Sequence, residues 1–447
     1  MHLSLSRSLL VLACAALPFS AHAVDIQRWH TADGTQVLLV ARHDNPIVDV
    51  QISFKGAGAA FNPPGKGEVA DFTAAILTDG TRTLDEEAFN ARANDLAADI
   101  GSSSSDEGAS IRLRSLSRAD VLQPALKLVN QSLTEPRFDA EVFRRRQNQS
   151  VTALQQNETD PAFVADRAAT LLDYPDHPYG SSARTSEQSL RAVTLADIRA
   201  FHRSRYGKNN AIVAVVGDID RRQTEALVNT VLAGLPAKSS RSAAVPPVPE
   251  RNAQRRDIPF AAEQAQIVMS MPLIRRDDPD YYALVVGNYI LGSGGFDGRL
   301  MKTLRDQYGY TYGAYSNLAP ATEAGAFSIA FSTQKANAAP ALAAAQKVLA
   351  DFVAEGPTEA ELQQAKSNLV GGFPLRFDTN AKLLQYLSLI GFYNLPDDYL
   401  EAYPKAVAAI SSAQIKAAWQ RRVQPQNMNI VVVGADAPKN TDAQSKK

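Results

Sequence analysis

Two stretches of this 447-residue chain follow one plan half a chain apart. Thr194–Ile198 opens a helix that runs through Phe201 and Tyr206 and leads into the apolar run Asn210–Asp218. Ser411–Ile415 opens a helix through Trp419 that leads into Asn429–Asp436. The glycines ending the two runs, Gly217 and Gly434, stand 217 residues apart. Earlier segments match as well. Val48–Phe54 alternates apolar and polar residues as a half-buried strand does, and Ala265–Met271 is its counterpart. Each is followed by a polar loop and a helix, over Glu68–Thr78 and Pro279–Leu291. A period near 200 residues is far beyond the roughly 20–50 of a solenoid repeat, so the pattern indicates a duplicated domain. Strands mixed with long helices predict an α+β fold, each half a largely antiparallel sheet covered by helices.

The boundary between the halves falls at 237–252, AKSSRSAAVPPVPERN, which is rich in Ser and Pro and lacks apolar periodicity. That divides the chain into 24–236 and 253–447, after an N-terminal segment with a different character. Residues 1–23 carry Arg7, an apolar stretch from Leu9 to Leu17 and the small-x-small site Ala21–Ala23, the pattern of a cleaved secretory signal peptide. A lipid anchor at Cys14 is the weaker alternative, because the apolar run before it is short. Cys14 is the only cysteine, so a chain starting at Val24 has no disulfide and depends on its core. The formal net charge of −1 argues against nucleic acid or an anionic membrane as partner. No later segment reaches the roughly 20 apolar residues of a membrane span. These features predict a soluble periplasmic or secreted protein with a frayed polar tail after Gly434.

Gly67–Thr81, GEVADFTAAILTDGT, reads as a helix that ends at Gly80-Thr81. Its frame resembles the helix that carries the zinc-binding H-x-x-E-H signature in the pitrilysin/insulinase-type peptidases. The five motif positions hold Asp71, Phe72, Thr73, Ala74 and Ala75. Zinc hydrolysis of this type requires two imidazoles on one helical face, a carboxylate from elsewhere and a Glu as general base. The histidines after residue 23 are His30, His43, His177 and His202, and no two lie within five residues. The resemblance places the third ligand near Val151–Ala153, where no acid occurs between Glu141 and Glu158. No metal is therefore expected on this chain. Asp71 reads as a solvated or capping residue, and His177, in Asp176–Gly180, as a structural one.

The second half carries GSGGFDGRLMKTLRDQYGYTYGAYS from Gly292 to Ser316. Leu300, Met301 and Leu304 give a helix an apolar face and leave Arg305 on its last turn, with Gly309 ending it. Tyr310–Tyr315 reads as the following strand. The glycines lack the G-K-[ST] ending of a phosphate loop. By themselves, Arg305 and the tyrosines are a surface cation and an aromatic strand. However, Leu304-Arg305 to Tyr312 is similar to an L-R-x6-Y motif of the same family. The resemblance implies that Arg305 holds substrate backbone and that Tyr312 steadies an oxyanion.

It implies further that Ser102, Ser103 and Ser104, within Ile100–Ser105, lie on an edge strand that pairs with substrate, although the residues fit a flexible serine loop equally well. One branch of the family divides its work between two similar chains. One brings the zinc motif and the other the Arg/Tyr pair, and together they form a clamshell. The resemblance therefore predicts a zinc-free subunit of a heterodimeric peptidase. Zinc would sit on an H-x-x-E-H partner, and Arg305 and Tyr312 would complete that partner's site on short or unfolded peptides. The alternative is a catalytically silent peptide binder or scaffold. No G-x-S-x-G elbow supports an independent hydrolase.

Overall fold

The computed structural model describes residues 24–435. The proposed signal peptide, Cys14 and the tail from Asp436 lie outside the described residues. The first sheet contains β1 (Gln27–His30), β2 (Gln36–Ala41), β3 (Ile47–Lys55), β4 (Asp99–Ser104), β5 (Gly108–Leu116) and β6 (Ala211–Gly217). Its strand order is β1-β2-β6-β3-β5-β4. The second contains β7 (Arg255–Ile258), β8 (Gln264–Ile274), β9 (Ala314–Leu318), β10 (Gly325–Gln334) and β11 (Asn429–Val433), in the order β7-β11-β8-β10-β9. Without β1, the two orders superimpose strand for strand.

Even the exceptions repeat: β2 pairs with β6 in parallel, β7 with β11 in parallel, and the other pairs are antiparallel. The matching sequence segments become matching strands, β3 with β8 and β6 with β11. Every residue of β6 is buried, as its unbroken apolar run requires of a strand covered on both faces. Each serine- or tyrosine-rich segment ends at an edge, β4 in one sheet and β9 in the other.

The halves exchange helices. The helix Pro161–Asp173 lays Ala165, Ala168 and Ala169 on Val268, Val431 and Val433 of the second sheet. In return, the helix Asn380–Phe392 packs Leu383, Leu384, Leu387 and Ile390 against Leu38, Val40, Ile212, Ala214 and Val216 of the first. Gly391 permits that approach: a Cβ there would stand 2.7 Å from Ile212 and 2.7 Å from Leu38. The core of the second half therefore runs into the first sheet without a gap. Residues 237–252 have no helix or strand. They run along the surface of the first half, with Val245 packed on Tyr174 and Tyr179.

Candidate functional site

The motif segment forms the helix Val69–Ile76, which starts from Glu68 in a left-handed conformation (φ 59°). Phe72, Thr73 and Ala74 face the core, Ala75 is half-buried and Asp71 is exposed. Thr73 Oγ1 donates to the Val69 carbonyl of its own helix. Asp71 accepts a hydrogen bond from Ser104 Oγ, and Thr78 lies 3.4 Å from Ser102 Oγ. The motif helix is thus laced to the edge strand β4. Asp71 links these two elements, a tighter role than the solvated residue expected.

The window that the resemblance gives to the third ligand, Val151–Ala153, lies on a helix beside the motif helix. It belongs to the helix Ala140–Asn157, which packs on the motif helix through Phe143 and Phe72, with ring centroids 5.5 Å apart. The Arg146–Asp79 ion pair ties this helix to the turn that follows the motif helix, and Ser150 hydrogen-bonds Glu68 at its start. Val151 is buried, while Thr152 and Ala153 are exposed. Burial, with the nearby Asp71 charge, raises the Glu68 carboxyl despite the Ser150 bond. Burial likewise raises the Asp79 carboxyl against the pull of Arg146.

β4 is an edge strand, not a loop. Ser105 N–H bonds the Gly108 carbonyl at the turn, which makes that pair a hydrogen-bonded one. By the alternation of an antiparallel ladder, Ser103 then bonds inward to Ser110, and the backbones of Ser102 and Ser104 face the open edge.

In the second half, Leu300, Met301 and Leu304 are buried, as their spacing predicts, and Met301–Gln307 winds as a widened helical turn. Gly309 ends it at φ 63°, and its N–H bonds the Arg305 carbonyl. The strand expected over Tyr310–Tyr315 is corrected to Ala314–Leu318. Thr311 Oγ1 bonds both the N–H and the carbonyl of Gly313, and this local turn delays the strand by four residues. As a result Tyr312 projects from a turn and is 86% exposed. The Arg305 guanidinium lies over the Phe296 ring, 4.7 Å from its centroid, and Phe296 is itself 67% exposed. Neither the Arg305 nor the Tyr312 side chain has a hydrogen-bond or ion-pair partner among the described residues.

Comparison with known proteins gives these features a context. A family profile described as "Peptidase M16 inactive domain" matches residues 192–369. A solved structure of a peptidase M16 inactive domain from Pseudomonas fluorescens is 34% identical, with a TM-score of 0.88. It covers 92% of this chain, and the match spans 98% of that one. The chain belongs to the M16 peptidase family. The "non-peptidase homolog YmxG" of Helicobacter pylori is 24% identical over 85% of this chain and 87% of its own length. The first half of the periplasmic protease PqqL of Escherichia coli shares the fold, at 16% identity, 92% and 94% coverage and a TM-score of 0.74. The chain is thus a pitrilysin-like M16 protein of the inactive-domain kind, with an α+β fold of two sheets.

Within this M16 frame three of the four histidines named above make separate contacts. His43 Nδ1 meets Asp218 at 2.7 Å, His177 Nε2 meets the Pro246 carbonyl at 2.8 Å, and His202 Nε2 meets the Leu133 carbonyl at 2.9 Å. Burial lowers His202 to about 4, so it is neutral at neutral pH. No group of three or more His, Cys, Asp or Glu side chains among the described residues is placed to hold a metal. No helix among them is long and apolar enough to cross a membrane.

Sequence reasoning missed two buried carboxylates that join the halves. Glu107, 7% exposed, accepts from Tyr179 Oη at 2.6 Å, Tyr393 Oη at 2.9 Å and Thr322 N–H at 3.1 Å. Asp173 accepts from Ser270 Oγ at 3.0 Å and Asn429 Nδ2 at 2.8 Å. Their partners lie about 70 to 290 residues away in sequence. No local pattern announces them.

Proposed function

We propose that this chain is the exported, zinc-free subunit of a two-chain M16 peptidase. In this reading, residues 24–236 and 253–447 are its two peptidase-like domains, with 237–252 as linker. It supplies Arg305 and Tyr312 to the metal site of a homologous H-x-x-E-H partner. One observation carries the proposal: Asp71 and Ala75 occupy the two histidine positions and Ala74 the general-base position, while Tyr312 is exposed and half-buried Arg305, stacked on Phe296, has no ion-pair or hydrogen-bond partner among the described residues. A guanidinium offers forked donors to peptide carbonyls, and a phenol hydroxyl can strengthen its hydrogen bond as charge develops on an oxyanion. The open edge of β4, at Ser102 to Ser104, supplies backbone groups for an extended substrate to pair with.

The reading is tested by assaying the purified chain, alone and mixed with a zinc-motif homologue from the same organism, against an unstructured peptide. Hydrolysis is expected only from the mixture, and a chelator should abolish it. Chelator-resistant hydrolysis by the chain alone would overturn the proposal. The name of the Helicobacter pylori relative, a non-peptidase homolog, favours a second reading, that of a silent peptide binder. That reading wins if no mixture hydrolyses peptide while the chain still binds it.

A further inference from the structure

A cavity of about 510 Å³ opens in the second half, among the helices Tyr281–Asn288, Asn380–Phe392 and Tyr399–Ala409. Its charge is one-sided. Arg276 and Arg376 line it and no aspartate or glutamate does. Most carboxylates close by in sequence are already engaged, Asp277 by Arg275, Asp278 and Asp280 by Arg421 and Arg422, Asp378 by Lys382 and Asp397 by Arg28, while Asp398 is exposed and does not line the cavity. Neither lining arginine has an ion-pair partner among the described residues.

Two polar groups at the cavity lack the partners that burial normally demands. Arg276 is held in place, with Nη2 donating to Tyr399 Oη at 3.1 Å and the guanidinium 4.8 Å from the Tyr281 ring centroid. Its Nε is buried without a partner. Asn288 is 6% exposed, lines the same cavity, and has no partner for Oδ1. Leaving a buried polar group without a hydrogen bond is costly, so most such groups find a partner. The remaining wall is mostly aromatic and aliphatic, with Phe373 stacked on Tyr403 at 4.5 Å. The volume falls within the roughly 300–1,000 Å³ of small-molecule sites.

We propose that this cavity binds a carboxylate carried on an apolar or aromatic body. Arg276 and Arg376 neutralise the charge, the Asn288 amide bonds a neighbouring polar group, and the aromatic wall takes the apolar part. The C-terminal residue of a short peptide has this chemistry, and so does a free aromatic acid. Continuity with β4 favours the peptide as source. Gln385 and Leu389 also line an adjoining cleft of about 280 Å³ that reaches Ser103 and Ser110. A peptide paired to β4 can therefore extend its end toward the cavity. The site requires neither Arg305, Tyr312 nor a metal-bearing partner, so it goes beyond the function proposed above.

Titration calorimetry on the full chain tests it with three probes: N-acetyl-phenylalanine, its amide, and the tripeptide Ala-Ala-Phe. Both acids should bind saturably and weaken with salt, and the amide should bind about tenfold more weakly or worse. Arg376→Gln and Arg276→Gln should each lower acid affinity about tenfold and leave the amide unchanged. Arg376 is exposed, so its variant carries the test if Arg276→Gln disturbs folding in near-UV circular dichroism. Tighter binding of the tripeptide assigns the site to peptide ends, and equal binding assigns it to free acids. Acid and amide binding alike, or no saturation by either acid at millimolar concentration, overturns the proposal. Because the chain is tested alone for binding, that failure would not touch the two-chain peptidase reading.

Discussion

At the scale of single residues, the buried carboxylates carry the sharpest expectations. Burial raises the Asp173 carboxyl from 3.8 to about 6, with the donors Asn429 and Ser270 pulling back. A folded value above the unfolded one means that the native state holds the extra proton. Stability from this group is full below about pH 4, falls as pH rises through the window to about 6, and stays lower above it. Asp173→Asn keeps an oxygen for both donors but cannot ionise. It should be more stable than the parent at pH 7.5, on the order of 2 kcal/mol, with the gap closing at pH 4. Urea unfolding at the two pH values reads that gap, and a gap independent of pH contradicts the assignment.

Asp79 is also raised by burial, but unlike Asp173 it has a cation, Arg146, paired with it. Arg146→Ala strands a buried carboxylate and should cost about 3 kcal/mol. Replacing both partners with leucine should recover most of the loss in the same unfolding assay. The lost zinc ligands were readable from residue types alone, because a metal site needs particular side chains at fixed spacing. Asp173 and Glu107 were not, since a carboxylate becomes a buried node only through partners distant in sequence.

At the scale of elements, β4 and the Tyr312 turn decide how substrate could be held. If the edge of β4 pairs with a peptide, the outward backbone N–H of Ser102 is a donor in that pairing. Ser102→Pro removes it without breaking a bond to β5. In a reconstituted two-chain assay, Ser102→Pro should raise KM severalfold while leaving thermal stability nearly unchanged. An unchanged KM would mean that substrate does not use this edge. Period-two alternation located β3 and β8, and unbroken apolar runs located β6 and β11. However, Asp49 and Ser53 on the polar face of β3 and Ser270 of β8 are buried too, so these strands are not the half-buried ones their alternation predicts. The same reasoning misplaced the strand after Gly309. Tyrosines in succession favour a strand, but the Thr311 hydroxyl captures the Gly313 backbone and makes a turn first. That error matters for the site, because the turn is what leaves Tyr312 exposed.

At the scale of the whole molecule, the duplication visible as two matching segments becomes two sheets of matching strand order. What the repeat could not reveal is the exchange of Pro161–Asp173 for Asn380–Phe392 across the halves. Helix periodicity identifies an apolar face but not the sheet that will cover it. Glu107 reinforces the exchange by joining the β4–β5 turn to Thr322 and Tyr393 of the second half. Glu107→Ala should cost about 3 kcal/mol and speed hydrogen exchange at both ends of the contact, with Glu107→Gln milder. Equal, unperturbed exchange in the two variants would remove Glu107 from the interface account.

The first half carries no H-x-x-E-H ligands at the motif positions, and the second half carries Arg305 and Tyr312 with no hydrogen-bond or ion-pair partner among the described residues. The most direct test is the turnover of a reconstituted mixture with the zinc-motif homologue, comparing the parent chain with Arg305→Ala and Tyr312→Phe. Each variant should bind the partner normally and lower kcat at least about tenfold, as loss of a transition-state donor does. Turnover unchanged in both variants would contradict the claim that this chain completes its partner's active site.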